Sequence, residues 1–218
     1  MPRFPLAARA GLTLVLLLAP DLAHAQGTSL SPRVQVAAGG GFLTSGAYFT
    51  GPGGLEFANG DAFTGSLQVS LAVHPSFAVV LGGAHARPEW RLTGVPLIGA
   101  VGVSGARLWF GDAAIRGHIP LGAGGPSAPI AFAQAGAGLA HYSIEASALG
   151  NAIDEHATNF AVALGAGLAL PVAERFGLEV MAKDYIASFR SVRDLEAFGV
   201  EGRRAHTLLL LVSARIGL

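Results

Sequence analysis

The sequence contains no cysteine and a single lysine, Lys183, and only 13% of its 218 residues are charged. The absence of cysteine excludes disulfide scaffolds and thiolate metal sites. The shortage of lysine and a formal net charge of zero argue against a basic surface for nucleic acid. Soluble domains usually carry about a quarter charged residues, whereas this chain is 51% hydrophobic with a mean hydropathy of +0.51. An ordinary water-soluble enzyme is therefore not expected.

The first 25 residues have the order of a secretory signal. Arg3 and Arg9 form a short basic region, residues 12–18 an apolar core, and Ala23-His24-Ala25 a small-x-small cleavage site. The apolar core is much shorter than the roughly 20 residues that span a bilayer as a helix. We therefore predict a cleavable signal peptide over residues 1–25 and a mature domain over residues 26–218.

The mature chain has no apolar run long enough for a membrane-spanning helix; the most apolar late run, 208–212, has five residues. A chain of this composition in a membrane must then cross as strands of a closed barrel, because every backbone polar group needs a partner within the protein. Such strands alternate apolar residues that face lipid with small or polar residues that face the lumen.

This alternation is clearest in segments 64–74, 109–119, 176–186 and 207–218. In the first of them the apolar positions are Leu67, Val69, Leu71 and Val73. The polar positions that alternate with them are Thr64, Ser66, Gln68, Ser70 and His74. We predict eight strands, at 33–43, 63–74, 77–87, 104–120, 129–142, 158–171, 175–187 and 206–218. Short turns alternate with long loops at 44–62, 88–103, 143–157 and 188–205, which places both termini in the periplasm.

The mature chain resembles the eight-stranded outer-membrane barrels of the outer membrane protein A, X and W type. The resemblance is carried by segments such as 129–139 (PIAFAQAGAGL) and 178–186 (LEVMAKDYI). It implies an all-β, eight-stranded antiparallel up-and-down transmembrane β-barrel after a cleavable signal peptide. Many such barrels end in an aromatic residue, whereas this chain ends in Leu218.

An eight-stranded barrel has an interior that side chains just fill, so a packed polar lumen is expected rather than an open pore. Strand parity places six polar residues inside: Gln68, Asp112, Arg116, Glu179, Lys183 and Arg215. Counting from the strand ends predicts an Arg116–Glu179–Arg215 cluster at one depth and an Asp112–Lys183 pair at another. The alternative to a structural filling is a gate that opens a small conductance.

An enzyme hypothesis rests on His141-Tyr142-Ser143, which resembles the His-x-Ser of lipid A deacylases, with Glu155 as a third candidate. A hydroxyl nucleophile, a base and a carboxylate that orients the base are the groups that acyl transfer needs. The residue after Ser143 is Ile144, where that family has Asn. Since His-x-Ser is a very short pattern, catalysis is not the favoured interpretation.

The sequence therefore predicts a monomeric, non-enzymatic outer-membrane barrel that contacts membrane lipid and meets a surface ligand through its outer loops. We expect no cofactor, no metal and no nucleic-acid partner, since the histidines lack metal-ligand spacing. Two alternatives stay open. One is a lipid A-modifying acyl hydrolase on the same fold, and the other is a soluble secreted β-barrel that binds an apolar ligand.

Overall fold

The computed structural model describes residues 34–95, 99–103, 106–122, 128–148, 151–188 and 201–218. The predicted signal peptide lies outside these residues and stays a prediction. The strands are β1 (Val34–Ser45), β2 (Ala47–Gly51), β3 (Leu55–Asn59), β4 (Ala62–His74), β5 (Phe77–Ala86), β6 (Trp90–Val95), β7 (Gly99–Val103), β8 (Ala106–Pro120), β9 (Ile130–Ala148), β10 (Asn151–Pro171), β11 (Phe176–Ser188), β12 (Glu201–Gly202) and β13 (Arg204–Gly217). None of the described residues forms a helix long and apolar enough to cross a membrane.

Eight of these strands close into an antiparallel barrel in the order β1-β13-β11-β10-β9-β8-β5-β4. All eight correspond to predicted strands, so the predicted fold class is confirmed. The register can be followed from each residue to its cross-strand partner around the whole barrel. Starting at Thr44 of β1 with its partner Leu208, this path returns to β1 at Val34, the partner of Leu71, so the barrel is staggered by ten residues. With about 3.3 Å per residue and about 4.8 Å between strands, this shift tilts the strands by about 40°. Each residue then rises about 2.5 Å along the barrel axis.

The two ends of the barrel differ. One end, which we call the turn end, carries the tight turn at Pro75-Ser76 and the connection between Pro171 and Phe176. The first described residue, Val34, and the last residue, Leu218, also lie there and are joined by a backbone hydrogen bond. The opposite end, the loop end, carries the longer connections.

The faces of the barrel strands are inverted relative to a soluble protein. In β4, Leu67 is 54% exposed on the outside, whereas its neighbour Gln68 is 3% exposed in the lumen. The same alternation holds in β13, where Leu210 and Val212 face outward and Ser213 is buried. A soluble barrel that holds an apolar ligand would show the opposite arrangement, so that alternative is wrong.

The apolar exterior is bounded by aromatic belts. The outer belt, near the loop end, consists of Phe42, Phe63, Trp109 and Phe160. The strand tilt brings these four rings within about 6 Å of one another in height. The inner belt contains Phe77 and Phe176. Ten residues along β4 separate Phe63 from the last outward apolar residue, Val73, which corresponds to a band about 25 Å tall, the height expected for an outer membrane.

The predicted loops contain more structure than the sequence indicated. Strands from 44–62, 88–103 and 188–205 form a second, five-stranded sheet in the order β12-β2-β3-β6-β7. The predicted loop 143–157 is instead the extended hairpin of β9 and β10, which pair as far as Ala148 and Asn151. The expectation of irregular loops was therefore wrong in these segments, because short strands rich in glycine and alanine carry little polar contrast to identify them.

Candidate functional site

The polar layer nearest the turn end is centred on Arg116 of β8. Its guanidinium donates to both carboxylate oxygens of Glu179, with Nη1–Oε2 at 2.8 Å and Nη2–Oε1 at 3.1 Å. It also donates to the amide oxygens of Gln134, at 2.7 and 2.9 Å, and Gln68, at 3.1 Å. The ring of Phe132 lies 4.1 Å from the guanidinium carbon. Both charges are buried, so this fork-to-fork pairing compensates much of the cost of removing them from water.

A second ion pair lies about 10 Å closer to the loop end by strand register. Lys183 donates to Asp112 Oδ1 at 2.6 Å, and the Tyr185 hydroxyl donates to the same oxygen at 2.6 Å. The Tyr185 ring stacks on Phe110 with a centroid distance of 4.6 Å. The stacking fixes the hydroxyl in place, so Asp112 is held by a cation and a neutral donor together.

Arg215 lies at the height of Arg116, in the half-buried part of the lumen near the turn end. Within the described part of the chain, it forms no hydrogen bond or ion pair with Glu179. Both oxygens of Glu179 are occupied by Arg116, which leaves no bidentate position for a second guanidinium. The three-residue cluster that the sequence predicted is therefore an Arg116–Glu179 pair with Arg215 nearby.

Two partners in these layers were not singled out by sequence reasoning. Gln134 lies in the alanine-rich strand β9, whose two faces differ little in polarity, although its even-numbered parity matches that of other lumen positions. The alternation in 176–186 already places Tyr185 on the face of Lys183, but its hydrogen bond to Asp112 was not predicted.

Glycines leave the space that these side chains occupy. A Cβ atom at Gly82 would stand 2.9 Å from Asp112 Oδ1 and 3.0 Å from Lys183 Nζ. A Cβ atom at Gly165 would stand 3.0 Å from the Gln134 side chain. A methyl group at either position would therefore displace these lumen side chains by a few tenths of an ångström.

Apolar side chains fill part of the lumen toward the loop end, beside buried polar groups such as Thr64 and Thr207, so the expectation of a polar filling throughout is wrong. Leu209 and Leu211 point into the lumen and are almost fully buried. They join a cluster with Leu43, Leu108, Phe110, Tyr142 and several alanines. The parity of 207–218 assigns both leucines to the lumen face, but they were not named as lumen residues because the search there was for polar side chains.

Strand β2 of the second sheet packs against this apolar cluster. Tyr48 and Phe49 are each 1% exposed and belong to the same cluster. The Tyr48 hydroxyl hydrogen-bonds to the Thr207 hydroxyl at 2.8 Å, and Phe49 contacts Tyr142 edge to face. Burial raises the pKa of the Tyr48 hydroxyl, which therefore stays protonated at neutral pH. The second sheet is thus attached to the barrel mouth by buried contacts.

The residues of the enzyme hypothesis lie on strands β9 and β10. His141 faces outward near the outer belt, and its Nδ1 hydrogen-bonds to the Thr158 hydroxyl at 2.8 Å. Ser143 pairs with His156, whereas Glu155 pairs with Ile144. Ser143 and Glu155 are therefore not direct cross-strand partners. Within the described residues, no group of three or more histidines and carboxylates could hold a metal ion.

The lumen thus contains two buried ion pairs, a network of side-chain hydrogen bonds and an apolar layer under Tyr48 and Phe49. Buried charges persist in a protein interior only when they are paired and hydrogen-bonded, as both of these pairs are. The described lumen residues form a packed core that contains both paired charges and apolar side chains.

Comparison with solved structures agrees with this fold. The chain is similar to Neisserial surface protein A, with a TM-score of 0.59 and 10% identity over 87% of this chain and 100% of that one. OprG from Pseudomonas aeruginosa gives a TM-score of 0.59 and 12% identity, over 86% and 98% of the two chains. The outer membrane protein AlkL, solved in lipid bilayers, gives a TM-score of 0.50 and 15% identity, over 88% of this chain and 93% of that one. No family model and no curated protein matches the sequence.

The molecule has the fold of the eight-stranded outer-membrane β-barrels, the class that its strand pattern resembled. At these identities the likeness shows the fold alone.

Proposed function

We propose that this protein is a non-enzymatic integral protein of the outer membrane of a Gram-negative-type bacterium, with a closed lumen and a structural or surface-interaction role. The observation that carries the proposal is the combination of an apolar exterior with a lumen filled by paired charges and packed side chains. A diffusion pore needs an open aqueous path, and an enzyme needs reactive groups that converge on one point. Neither arrangement matches the described residues.

The turn end faces the periplasm in this proposal, and the loop end faces the outside. Outer-membrane barrels have short periplasmic turns and longer extracellular loops, and the two ends of this barrel differ in that sense. The five-stranded sheet at the loop end is then the surface that meets ligands or partner molecules. Its attachment through Tyr48 and Phe49 makes it an ordered platform rather than a set of loose loops.

Two measurements test this function. Membrane fractionation should recover the protein only with detergent, and recovery in a soluble fraction would contradict membrane insertion. Planar-bilayer recording of the unmutated protein and of Glu179→Ala should show no stable conductance in either case, because the Asp112–Lys183 pair, Leu209 and Leu211 stay in place. A conductance that appears only in the variant would show that Arg116–Glu179 is a gate, and the closed-lumen proposal would be wrong.

A further inference from the structure

One residue interrupts the lipid-facing surface of the barrel. Among the described outward positions between the two aromatic belts, Asp184 of β11 is the only residue that carries a formal charge at neutral pH. By strand register it lies roughly 5 Å below the outer belt, on the membrane side. Ionisable residues on the lipid face destabilise a barrel to a degree that depends on depth, so Asp184 needs a partner.

That partner is His206 of β13. His206 Nδ1 donates to Asp184 Oδ2 at 2.7 Å, while the other carboxylate oxygen is covered by neighbouring side chains and has no hydrogen-bond partner. The histidine side chain is 63% exposed. Since Nδ1 is engaged, Asp184 orients the imidazole so that Nε2 is directed away from the carboxylate, at the height of the outer belt.

Two more donors stand next to this ring, slightly nearer the loop end. Arg204 is two residues from His206 and so faces the same side of β13, and Ser188 is the direct cross-strand partner of Arg204. Directly paired side chains start about 5 Å apart. Arg204, Ser188 and His206 are exposed and lie above the acyl region, where lipid headgroups are found. We call these three residues and Asp184 the rim cluster.

An apolar groove of about 690 Å³ lies directly below the rim cluster on the same outer face. Small residues, Gly40, Ala166 and Ala182, form part of its lining, and larger side chains such as Phe42 and Val180 stand beside them. Its residues lie at acyl-chain depth, between the two belts. The face therefore combines polar donors near the outer belt with an open apolar groove below them.

We propose that the rim cluster and this groove bind one molecule of the phosphorylated glycolipid of the outer leaflet. The phosphate is held by Arg204 and His206, a sugar hydroxyl contacts Ser188, and an acyl chain lies in the groove. Charge complementarity selects this occupant, because Arg204 supplies a fixed positive charge and the only carboxylate in the cluster is already engaged with His206. A second copy of the chain is the alternative occupant of this face, and the test below distinguishes it. The assignment to the outer leaflet rests on the orientation in the proposed function.

The test uses purified full-length protein in detergent and native mass spectrometry with three lipids: bisphosphorylated lipid A, the same lipid without its phosphates, and phosphatidylglycerol. The unmutated protein should retain one molecule of bisphosphorylated lipid A and bind the other two more weakly. The double variant Arg204→Gln/His206→Gln should lose roughly tenfold or more of this affinity, as expected for the removal of two charge-assisted contacts.

The matched control is Arg87→Gln, which removes an exposed arginine near the outer rim on another side of the barrel. It should leave lipid A binding unchanged. Asp184→Asn tests the positioning role and should weaken binding less than the double variant, with heat-modifiable gel mobility showing that each protein is folded.

Four results would overturn the proposal: equal binding by the double variant, an equal loss in the Arg87 control, equal binding of dephosphorylated lipid A, or equal binding of phosphatidylglycerol. A dimer that dissociates in Asp184→Asn would assign the face to a second copy instead. A protein that is extracted without detergent would contradict the proposed function itself, whereas an inserted protein without lipid selectivity would contradict only this inference.

Discussion

Arg116 and Glu179 come from strands on different sides of the barrel and meet in the lumen, Nη1 to Oε2 at 2.8 Å, with less than a tenth of either side chain exposed. The strands β8 and β11 that carry them are not neighbours in the barrel. The pair therefore connects two walls of the barrel through its interior. The contribution of this ion pair to the free energy of unfolding can therefore be measured separately from that of the strand pairing.

Replacing Glu179 by alanine should lower the free energy of unfolding by about 3 to 5 kcal/mol, because Arg116 would be left buried without its counter-charge. Urea unfolding in lipid vesicles, followed by tryptophan fluorescence, measures the change. Glu174→Ala is the control, since Glu174 is exposed in the connection between β10 and β11 and should change stability by less than about 0.5 kcal/mol. Equal effects of the two substitutions would show that the lumen pair contributes nothing particular.

Adding one methyl group at Gly82 should destabilise the barrel by about 1 to 3 kcal/mol, because the new Cβ would press against both members of the Asp112–Lys183 pair. Gly83→Ala is the matched control on the adjacent, outward-facing position, where the nearest atom outside the neighbouring residues is a backbone oxygen 3.5 Å away. Both substitutions reduce the entropy of the unfolded chain in the same way. The difference between the urea unfolding midpoints of the two variants therefore measures the effect of the lumen contact. Equal midpoints would show that the lumen is loosely packed.

A charge on the outer face should be costly only within the apolar band. Leu67→Arg, close to the middle of the band, should destabilise the inserted barrel by about 2 to 4 kcal/mol. Val172→Arg adds the same charge at an exposed position beyond the inner belt and should cost less than about 1 kcal/mol. Refolding yield into vesicles and unfolding midpoints measure both. If Leu67→Arg were tolerated as well as Val172→Arg, that face would not contact lipid.

The Tyr48 hydroxyl should make the attachment of the outer sheet sensitive to alkaline pH. Burial raises the pKa of this group above its ordinary value of 10.0, so the unfolded segment ionises first and stability falls as the pH rises above 10. Limited proteolysis of residues 47–59 at increasing pH measures this. Tyr48→Phe should lose the 2.8 Å bond to Thr207, at a cost of about 1 to 3 kcal/mol, and should also weaken the pH dependence. If proteolysis of the variant depended on pH as in the unmutated protein, Tyr48 would not be the group responsible for the alkaline sensitivity.

The sequence predicted the barrel because polar and apolar residues alternate strictly where both types are present. Gln68 between Leu67 and Val69 fixes the face of β4, and Glu179 between Leu178 and Val180 does the same for β11. The same parity brought the members of both ion pairs to matching depths, because an antiparallel barrel has a regular register.

What could not be predicted lies where this contrast is missing. Residues 208–212 are apolar on both faces, so parity gave the lumen side of Leu209 and Leu211 but not the apolar character of the filling there. The short strands β2 and β3 are joined by Pro52–Gly54, a turn signal that fits a loop as well as a hairpin. Their pairing depends on contacts distant in sequence, such as Tyr48 with Thr207, and no local pattern encodes those contacts.

The most direct test of the account uses the absence of cysteine, which allows single cysteines to be introduced and spin-labelled at each position from 66 to 71 of β4 in turn. In vesicles, labels at 67, 69 and 71 should collide with oxygen dissolved in the bilayer and be protected from a water-soluble nickel reagent. Labels at 66, 68 and 70 should be protected from both and nearly immobile. A period of two in this order is the predicted result. Equal access of the nickel reagent to positions 67, 69 and 71, or oxygen access at 68 and 70 instead, would contradict the account.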